Sequence, residues 1–430
     1  MILIPYLALY VKHLAQNLAW MPLGDDYPIH VYFALEAREN PTTIFTTHGG
    51  YPSLIHLLGF LVTDPLALGR LYAIYGALLI AAGAVFYGAY TAQLTGSKPA
   101  TLIGAAAVIG SVRTLAGIID GQLADKTVLL IVIPLSLMLY AKGHPTAALL
   151  SLAPVIFINY LGVAYAAALA LAYAIYGGKR PKIAIALLAT AGVALLHDRI
   201  TTVAQLAQSA FAQPPPIPWD PLWGLIYAFY GPSAPILAAT AAYIAVKAKH
   251  AAPLALASLT VLAAALTAPL YGERLMRIAA LMMPVAAAAG LLETGHRRAA
   301  ALTLAVYLAG PAAAGWAWAT GHLDGLFAPV QRLTPDKLQA YTQALALIPP
   351  NATVQVMWQL DLWLLPIAKT QRPDLNVEPV SCTWGKAQYY VYTTPDPRQW
   401  HMPCTHAAGP PPGKPLAKWH NTTLYAHSDQ

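Results

Sequence analysis

The stretch Leu23-Gly24-Asp25-Asp26-Tyr27-Pro28-Ile29-His30 follows an apolar first segment and places two adjacent carboxylates, then an imidazole, just outside it. Carboxylates beside a membrane are energetically costly unless they are solvated, paired or bound to a metal. The pattern therefore indicates either a general-base or hard-metal site, or a solvated loop in which an Asp caps the helix before Pro28. Asp25 and Asp26 are the candidate catalytic residues of the chain.

The composition around this stretch is that of a membrane protein. The chain has 430 residues, of which 57% are hydrophobic and 10% are charged, and its mean hydropathy is +0.52. Soluble proteins contain about 25% charged residues. The apolar character extends over residues 1–320, after which the composition becomes ordinary and Pro-rich. We therefore predict a transmembrane domain over 1–320 and a water-facing C-terminal domain over 321–430.

The apolar segments predict an α-helical polytopic fold with about eleven spans, because each span needs about 20 apolar residues. No small-residue cleavage site follows the first segment, which is therefore interpreted as a retained span and not as a signal peptide. Two short segments, 145–159 and 183–197, could instead be re-entrant or merged helices. The predicted spans are 2–20, 66–94, 99–113, 126–141, 145–159, 161–176, 183–197, 222–246, 251–269, 275–292 and 299–319.

The loops between these spans alternate in charge. One set of loops contains mainly cations, for example Lys179, Arg180 and Lys182, whereas the opposite set holds nearly all of the acidic residues. Cations are enriched in cytoplasmic loops. We therefore expect an integral protein of the cell membrane with a cytoplasmic N-terminus and an extracytoplasmic C-terminus. The net charge of +7 then reflects orientation in the bilayer, and no nucleic-acid partner is expected.

The C-terminal domain is predicted to be a small α/β domain. A helical signal covers 337–347, and alternating residues at 354–358 and 387–392 are typical of strands. Cys382 and Cys404 both lie in this domain. In an extracytoplasmic location a disulfide between them is favoured over two free thiols, and it would stabilise the domain by about 3 kcal/mol.

The first outer loop continues into Tyr51-Pro52-Ser53-Leu54-Ile55-His56-Leu57-Leu58, which opens an apolar helix too short to span a bilayer. Such a helix is expected in the membrane interface, with its Tyr and His at headgroup depth. It suits a site that receives a lipid-borne substrate sideways from the bilayer, and simple packing under the loop is the alternative. His30, Tyr51 and His56 are accordingly assigned to the acceptor or lipid region.

The second outer loop contains Arg113-Thr114-Leu115-Ala116-Gly117-Ile118-Ile119-Asp120-Gly121-Gln122, followed by Asp125 and Lys126. An arginine beside an acidic cluster can bind a phosphate group. The alternative is that Arg113 pairs with Asp120, or Lys126 with Asp125, and that these pairs only order the loop.

Two further arginines stand near the end of the membrane part, in Tyr271-Gly272-Glu273-Arg274-Leu275-Met276-Arg277. Residues three apart share one face of a helix, so these two cations either snorkel to the interface or bind a pyrophosphate. A lipid-phosphate donor needs such cations because its leaving group departs as an anion. Arg274, Arg277 and Arg113 are the candidate residues for binding donor phosphate.

Four of these stretches resemble motifs of the GT-C type integral-membrane glycosyltransferases, and among them the catalytic subunit family of oligosaccharyltransferases. Residues 24–30 resemble the acidic motif of the first loop, and residues 51–56 resemble the start of the interfacial helix. Residues 113–120 resemble the second-loop motif Arg-Thr/Ser-x-x-Gly-x-x-Asp. Glu273-Arg274, followed by an apolar helix, resembles the late arginine that meets the donor phosphate or the acceptor.

The resemblance implies a polyprenyl-phosphate-linked sugar donor, a divalent metal such as Mg²⁺ or Mn²⁺, and an acceptor asparagine. On this analogy Asp26 (or Asp25) and Asp120 would ligate the metal, together with Gln122, which stands where the family usually has a further acid or His. Arg274 would contact the donor.

The chain departs from the family in other places. Residues 201–208 lack the Glu ligand of the fifth outer loop, and the Trp-Trp-Asp-Tyr-Gly motif that reads the acceptor hydroxyl is absent. The nearest string is Met357-Trp358-Gln359-Leu360-Asp361-Leu362-Trp363. Other GT-C branches, such as enzymes similar to the protein O-mannosyltransferases, work without a metal and use a first-loop Asp as the base. Metal dependence therefore stays open.

The predicted function is transfer of a sugar or glycan from a polyprenyl-phosphate-type lipid donor to a protein or glycan acceptor on the extracytoplasmic face. One alternative is a non-catalytic GT-C paralogue that acts as a scaffold, which the missing acids favour. Another is a lipid-glycan transporter, for which the spans offer few polar residues near the bilayer midplane.

Overall fold

The computed structural model of the protein describes nine segments of the chain, which together are mostly helical and end in a small sheet. The described residues are 4–19, 26–44, 53–119, 121–178, 233–267, 272–320, 333–380, 383–395 and 408–427.

Within the described segments, 3-10 helices at 41–44, 54–60, 98–100 and 153–157 and a π-helical turn at 128–132 lie between the α-helices that precede the sheet. These α-helices are α1 (Ile4–Ala19), α2 (Tyr27–Glu39), α3 (Pro65–Thr95), α4 (Thr101–Ile109), α5 (Val112–Ile119), α6 (Leu123–Thr127), α7 (Ile133–Ala141), α8 (Pro145–Leu150), α9 (Tyr160–Tyr176), α10 (Ser233–Lys247), α11 (Ala252–Thr267), α12 (Gly272–Glu293) and α13 (Arg297–Ala319).

Four helical stretches in the described segments are long and apolar enough to cross a membrane, which gives the chain the character of a membrane protein. They are Pro65–Thr95, Leu123–Ala141, Arg274–Glu293 and Arg297–Ala317. Shorter apolar helices, such as Ser233–Lys247 and Ala252–Thr267, lie between them. The predicted count of about eleven spans is therefore not confirmed, and the predicted span 183–197 lies outside the described residues.

Local sequence signals set the ends of α3, the longest helix. The Oδ2 atom of Asp64 accepts a hydrogen bond from the backbone N–H of Ala67 at 2.7 Å, and Pro65 follows as the first helical residue. Both are preferred at helix starts because the first N–H groups of a helix lack partners within it. Gly96 ends the helix at a φ of +63°, a left-handed conformation that glycine adopts readily.

Buried tyrosines connect α3 to its neighbours. The hydroxyl of Tyr72 donates to the carbonyl of Ile55 at 3.1 Å, and the hydroxyl of Tyr87 donates to the carbonyl of Leu129 at 2.8 Å. Both side chains are fully buried. Each bond satisfies a phenol that would otherwise be left unpaired inside the helix packing. Tyr72 in particular fixes the 3-10 helix 54–60 against α3.

Of the four described helical stretches long enough to cross a membrane, the one in α12 is the most buried, because 89% of the residues in its apolar window are buried inside the protein. Most of its residues between Met276 and Ala289 are fully buried against other helices. Its first turns contain Arg274 and Arg277. The packing of α12 therefore fixes where these two cations can stand.

The C-terminal part folds as a five-stranded mixed sheet with strand order β2-β1-β3-β5-β4. Strand β1 is parallel to both of its neighbours, whereas β5 is antiparallel to β3 and β4. The predicted helix and both predicted strands are present, and the sheet contains three further strands. The elements are α14 (Pro335–Leu347), β1 (Thr353–Met357), α15 (Trp358–Asp361), α16 (Leu364–Gln371), β2 (Asn376–Val380), β3 (Tyr389–Thr393), β4 (Lys414–Trp419) and β5 (Thr422–Ala426).

Helix α16 packs this C-terminal part against helix α2. The Nζ atom of Lys369 lies 2.8 Å from Oε2 of Glu39, and it also stands 5.6 Å from the centre of the Tyr32 ring. Helix α2 is therefore in contact with the C-terminal part on one side while its first residues face the other loops.

Candidate functional site

A small polar cavity lies where the first loop, the second loop and the start of α12 meet. Its volume is about 40 Å³, enough for a few water molecules, since one water needs about 10–15 Å³. The cavity is lined by Asp26, His30, Gln122, Ala124, Asp125, Asn159, Leu161, Arg274 and Arg277. We call it the polar cavity.

Asp26 stands immediately before α2, where the chain enters the helix at Tyr27 and Pro28. Its backbone carbonyl accepts the N–H of His30 at 3.2 Å, and its side chain is half-buried and lines the polar cavity. The local sequence explains this position, because Asp and an early Pro both favour helix starts. The side chain of Asp26 makes no capping bond to α2.

Gly121 brings the second loop against the start of α2. Its φ is +91°, and a Cβ at this position would lie 2.7 Å from the backbone nitrogen of Tyr27. Glycine is therefore required here both for the backbone conformation and for the close approach. The tight contact places Gln122, the next residue, on the same cavity as Asp26.

The two arginines of α12 line the cavity opposite these loops. The Nη1 atom of Arg277 donates to Oε1 of Gln122 at 3.2 Å, and Arg277 is half-buried whereas Arg274 is exposed. The predicted phosphate-binding residues Arg274 and Arg277 and the first-loop carboxylate of Asp26 are thus brought together, although they are about 250 residues apart in the sequence.

Asp125 is a second carboxylate on the cavity wall. Its Oδ2 atom lies 2.7 Å from Nζ of Lys126, which is only 1% exposed, whereas the side chain of Asp125 is 16% exposed. Gly117 leaves the space for this ammonium, since a Cβ there would lie 2.7 Å from Cε of Lys126. The Lys126–Asp125 pair considered from the sequence is therefore formed, and its acidic member also faces the cavity.

His30 and His56 form a buried pair, 1% and 2% exposed. His30 Nε2 lies 3.0 Å from the carbonyl of Gly121, which can only accept, so this nitrogen has the proton. His30 Nδ1 must then accept from Nε2 of His56, 3.1 Å away. Burial lowers the pKa of His30 to about 4, opposed by the Gly121 bond and by Asp125, and burial also lowers the pKa of His56.

This pair connects α2, the 3-10 helix 54–60 and the second loop. The exposed residues of the 3-10 helix are instead apolar, Leu57 and Phe60, followed by Leu61. His30 lines the polar cavity and His56 supports it from behind. The assignment of these histidines to acceptor or lipid binding stays a prediction.

Several residues named from the sequence cannot be placed. Arg113 belongs to α5, but its side chain is not among those that the structure describes. The other residues lie outside the described segments, so the predicted disulfide and these roles stay predictions: Asp25, Tyr51, Asp120, Cys382 and Cys404.

The described wall of the polar cavity does not fit a divalent metal ion well. Hard cations such as Mg²⁺ take about six oxygen ligands, and four described lining residues have side-chain oxygen atoms, of which at least three already accept hydrogen bonds from protein donors. These bonds are Arg277 to Gln122, Lys126 to Asp125, and the backbone N–H of Gly162 to Asn159 at 2.9 Å. The wall also contains two guanidinium groups, which equal its two carboxylates in number and offset their charge.

An apolar groove of about 210 Å³ lies beside the polar cavity. Thr127 in the groove directly follows the Asp125–Lys126 pair, and Ile158 directly precedes Asn159 of the cavity wall. The polar cavity and the apolar groove are therefore lined by neighbouring residues of the same two chain segments, 125–127 and 158–159. The groove is lined by Leu54, Ile55, Leu57, Leu58, Tyr75, Thr127 and Ile158.

The string at residues 357–363 does not form an exposed acceptor-binding surface. Asp361 is fully buried, and its carboxylate accepts from the hydroxyl of Tyr341 at 2.8 Å and from the backbone N–H of Thr393 at 2.9 Å. Lys337 lies 3.6 Å away as its charge partner, and Trp363 is 1% exposed. These residues stabilise the interior of the C-terminal part.

Asp125 and Asn159 line the cavity, although the sequence motifs do not predict them as residues of the site. Asn159 stands out in the sequence as an isolated polar residue between two apolar segments, where it is one of the few candidates for the transporter alternative and not a predicted residue of this site. Its Oδ1 caps α9 through Gly162, and its side chain also lines the polar cavity. Asp125 gave no separate signal, because its neighbour Lys126 suggested a simple ion pair.

Comparison of the chain with known protein families, with characterised proteins and with solved structures finds no match. The functional assignment therefore depends on the motifs and on the geometry of the polar cavity.

Proposed function

We propose that the protein is a membrane glycosyltransferase that transfers a sugar or glycan from a polyprenyl-phosphate-type lipid donor to an acceptor, on the extracytoplasmic face of the membrane. The observation on which this proposal depends is the polar cavity, where the carboxylate of Asp26 and the guanidinium groups of Arg274 and Arg277 line one small space. A base and an anion-binding group in one space are what glycosyl transfer from a phosphate requires.

In the proposed reaction, Asp26 accepts the proton of the acceptor group as that group attacks the anomeric carbon of the donor sugar. The bond between the sugar and the phosphate oxygen breaks, and the lipid phosphate leaves with the bonding electrons. Arg274 and Arg277 stabilise the negative charge that develops on this phosphate. A positioned base contributes about 10²–10⁴-fold to the rate of such a step.

The apolar groove supports a lipid-linked donor. Its lining residues Thr127 and Ile158 are next to residues of the polar-cavity region in the chain. Leu57 of the groove wall and the nearby Phe60 and Leu61 are about half-exposed or more. Exposed apolar side chains on a short helix are typical of a segment that lies in the membrane interface. A polyprenyl chain in the groove would hold its sugar phosphate near the turns of the chain that also form the wall of the polar cavity.

The experiment uses the full chain in lipid nanodiscs with a panel of polyprenyl-phosphate sugars and a membrane-protein extract as acceptor. Release of the free polyprenyl phosphate is measured by mass spectrometry. We expect the Asp26→Asn variant to lose at least about 10²-fold in rate. The matched control is Asp336→Asn, since Asp336 is an exposed carboxylate of α14.

Unchanged turnover in Asp26→Asn would contradict the proposal. A wild-type protein that binds the donor but releases no lipid phosphate with any acceptor would favour the scaffold alternative instead. Movement of the donor across the bilayer of vesicles that contain the protein, without cleavage of the donor, would favour the transporter.

A further inference from the structure

We infer that two cations, Arg277 in the wall of the polar cavity and Lys126 paired with Asp125 behind that wall, stand in place of a divalent metal ion. This inference deepens the proposed function and rests on it for the identity of the reaction. The metal-binding behaviour itself depends only on which oxygen atoms of the cavity wall already have a cationic partner.

The first cation is Lys126. Its ammonium lies 2.7 Å from Oδ2 of Asp125 and is almost completely buried. Removal of either charge would leave the other one without compensation in a poorly solvated place, so the pair is held together strongly. A metal ion that approached Asp125 would meet this ammonium at short range, and like charges repel strongly where water is excluded.

The second cation is Arg277. Its Nη1 atom donates to Oε1 of Gln122, the side-chain oxygen that a metal ion at this position would need. A Cβ at Gly117 would lie 2.8 Å from this same oxygen and 3.0 Å from Nζ of Lys126. The ammonium of Lys126 and the amide oxygen of Gln122 therefore both lie close to Gly117. Lys126 and Arg277 thus interact with side-chain oxygens on the same side of the cavity.

The consequence concerns the donor phosphate. Arg274 and Arg277 present fixed positive charge to the cavity, and Lys126 compensates Asp125 so that this carboxylate repels an incoming anion less. Arg277 thus contacts the ligand, and Lys126 is a positioning residue that acts through Asp125. The phosphate group is bound without a metal bridge.

The test is a titration of the full chain in nanodiscs of zwitterionic lipid with Mn²⁺, followed by electron paramagnetic resonance. We expect the wild type to bind no Mn²⁺ stoichiometrically in the micromolar range. Lys126→Met frees Asp125 Oδ2, and we expect its Mn²⁺ affinity to rise by about tenfold or more. Lys418→Met, a change of an exposed lysine of β4, is the matched control.

One Mn²⁺ bound per wild-type chain at micromolar concentration, and lost in Asp26→Asn or Asp125→Asn, would overturn the inference. So would equal Mn²⁺ affinities of Lys126→Met and Lys418→Met. If Lys126→Met does not fold, Arg277→Gln frees Gln122 Oε1 and is expected to raise the affinity in the same way.

This readout is separate from turnover. A protein that transfers no sugar but also binds no Mn²⁺ contradicts only the proposed function. A protein that transfers sugar and loses this activity in EDTA, with recovery on addition of Mn²⁺, contradicts only the inference about the cations.

Discussion

The Nδ1 atom of His30 lies 3.1 Å from Nε2 of His56, in a contact that joins α2 to the 3-10 helix 54–60. The same imidazole donates from Nε2 to the carbonyl of Gly121. Three separate segments around the polar cavity are therefore connected by one neutral side chain. His30 must stay uncharged for this set of bonds, because a doubly protonated His30 has no acceptor left for His56.

This pair predicts an acid-sensitive fold. The folded pKa of His30 is lowered to about 4 from 6.5 in the unfolded chain, so the unfolded state binds more protons between these values. Stability is therefore fully present above pH 6.5 and is lost as the pH falls toward 4, by about 3 kcal/mol for this one group. Thermal unfolding in detergent between pH 7 and 4.5 measures the loss.

The variant His30→Phe should show a flatter stability profile over the same pH interval, because it lacks the titrating group. His420→Gln, which changes an exposed histidine, should keep the wild-type slope. Equal slopes for the wild type and His30→Phe would refute the assignment of the acid sensitivity to His30.

Gly121 predicts a second, more local effect. Gly121→Ala must accept both a φ of +91° and a Cβ 2.7 Å from the nitrogen of Tyr27, so the second loop has to move away from α2. Gly143 offers a matched control, because its φ is +82° but a Cβ added there would meet no atom within 4 Å. Both variants bear the backbone strain, of about 1 kcal/mol, and only Gly121→Ala bears the clash.

We expect Gly121→Ala to destabilise the protein by about 2 kcal/mol more than Gly143→Ala does, and to weaken donor binding as Gln122 leaves the cavity. Chemical denaturation and a donor-binding assay measure the two effects. Similar losses in both variants would mean that the second loop does not need its close contact with α2.

Arg277 predicts a dependence on the shape of the cation. Arg277→Lys keeps the charge but loses the planar group that reaches Oε1 of Gln122, so we expect the donor KM to rise about tenfold. Arg298→Lys, an exchange at an exposed position of α13, is expected to change nothing. The same KM for all three proteins would exclude Arg277 from donor binding.

The buried carboxylate of Asp361 predicts a stability effect without a change at the cavity. Asp361→Asn removes the charge that compensates Lys337, whose pKa is lowered by burial and raised by this same carboxylate. Loss of one partner of a buried pair costs about 3 kcal/mol. The double variant with Lys337→Met should recover part of this loss, which a double-mutant cycle of unfolding free energies measures.

Asp374→Asn, at a solvated pair with Arg372, should cause little change and is the control for charge removal. A full-length Asp361→Asn protein that unfolds like the wild type would show that the pair does not stabilise the domain.

Elements whose signals are local were predictable from the sequence. Asp64 with Pro65 and Gly96 delimit α3, and the helical signal at 337–347 belongs to α14, because caps and turns depend only on adjacent residues. Strands β2 and β4 were missed since each contains a proline, Pro379 or Pro415. Both are edge strands of the sheet, where proline is tolerated.

The candidate site was predictable only in part. Asp26 and Arg277 stood out because charged residues beside apolar segments are costly, whereas the direction of Asp125 depends on how α6 leaves the left-handed turn at Gly121. The pattern of apolar and polar residues in the sequence does not predict the backbone angle at Gly121. The hydrogen bond from Arg277 to Gln122 likewise depends on tertiary packing, because the two residues are 155 positions apart in the chain.

The ion pair between Lys369 and Glu39 joins two residues that are 330 positions apart in the chain. The Nζ atom of Lys369 lies 2.8 Å from the carboxylate of Glu39. An amine and a carboxylate this close in space are substrates for a carbodiimide, which condenses them into an amide without adding any spacer atoms. One such covalent link would fasten the C-terminal part to the helix that begins beside Asp26. The Lys369–Glu39 pair therefore allows the C-terminal part to be cross-linked to α2 before kinetic or imaging experiments, without any added residue.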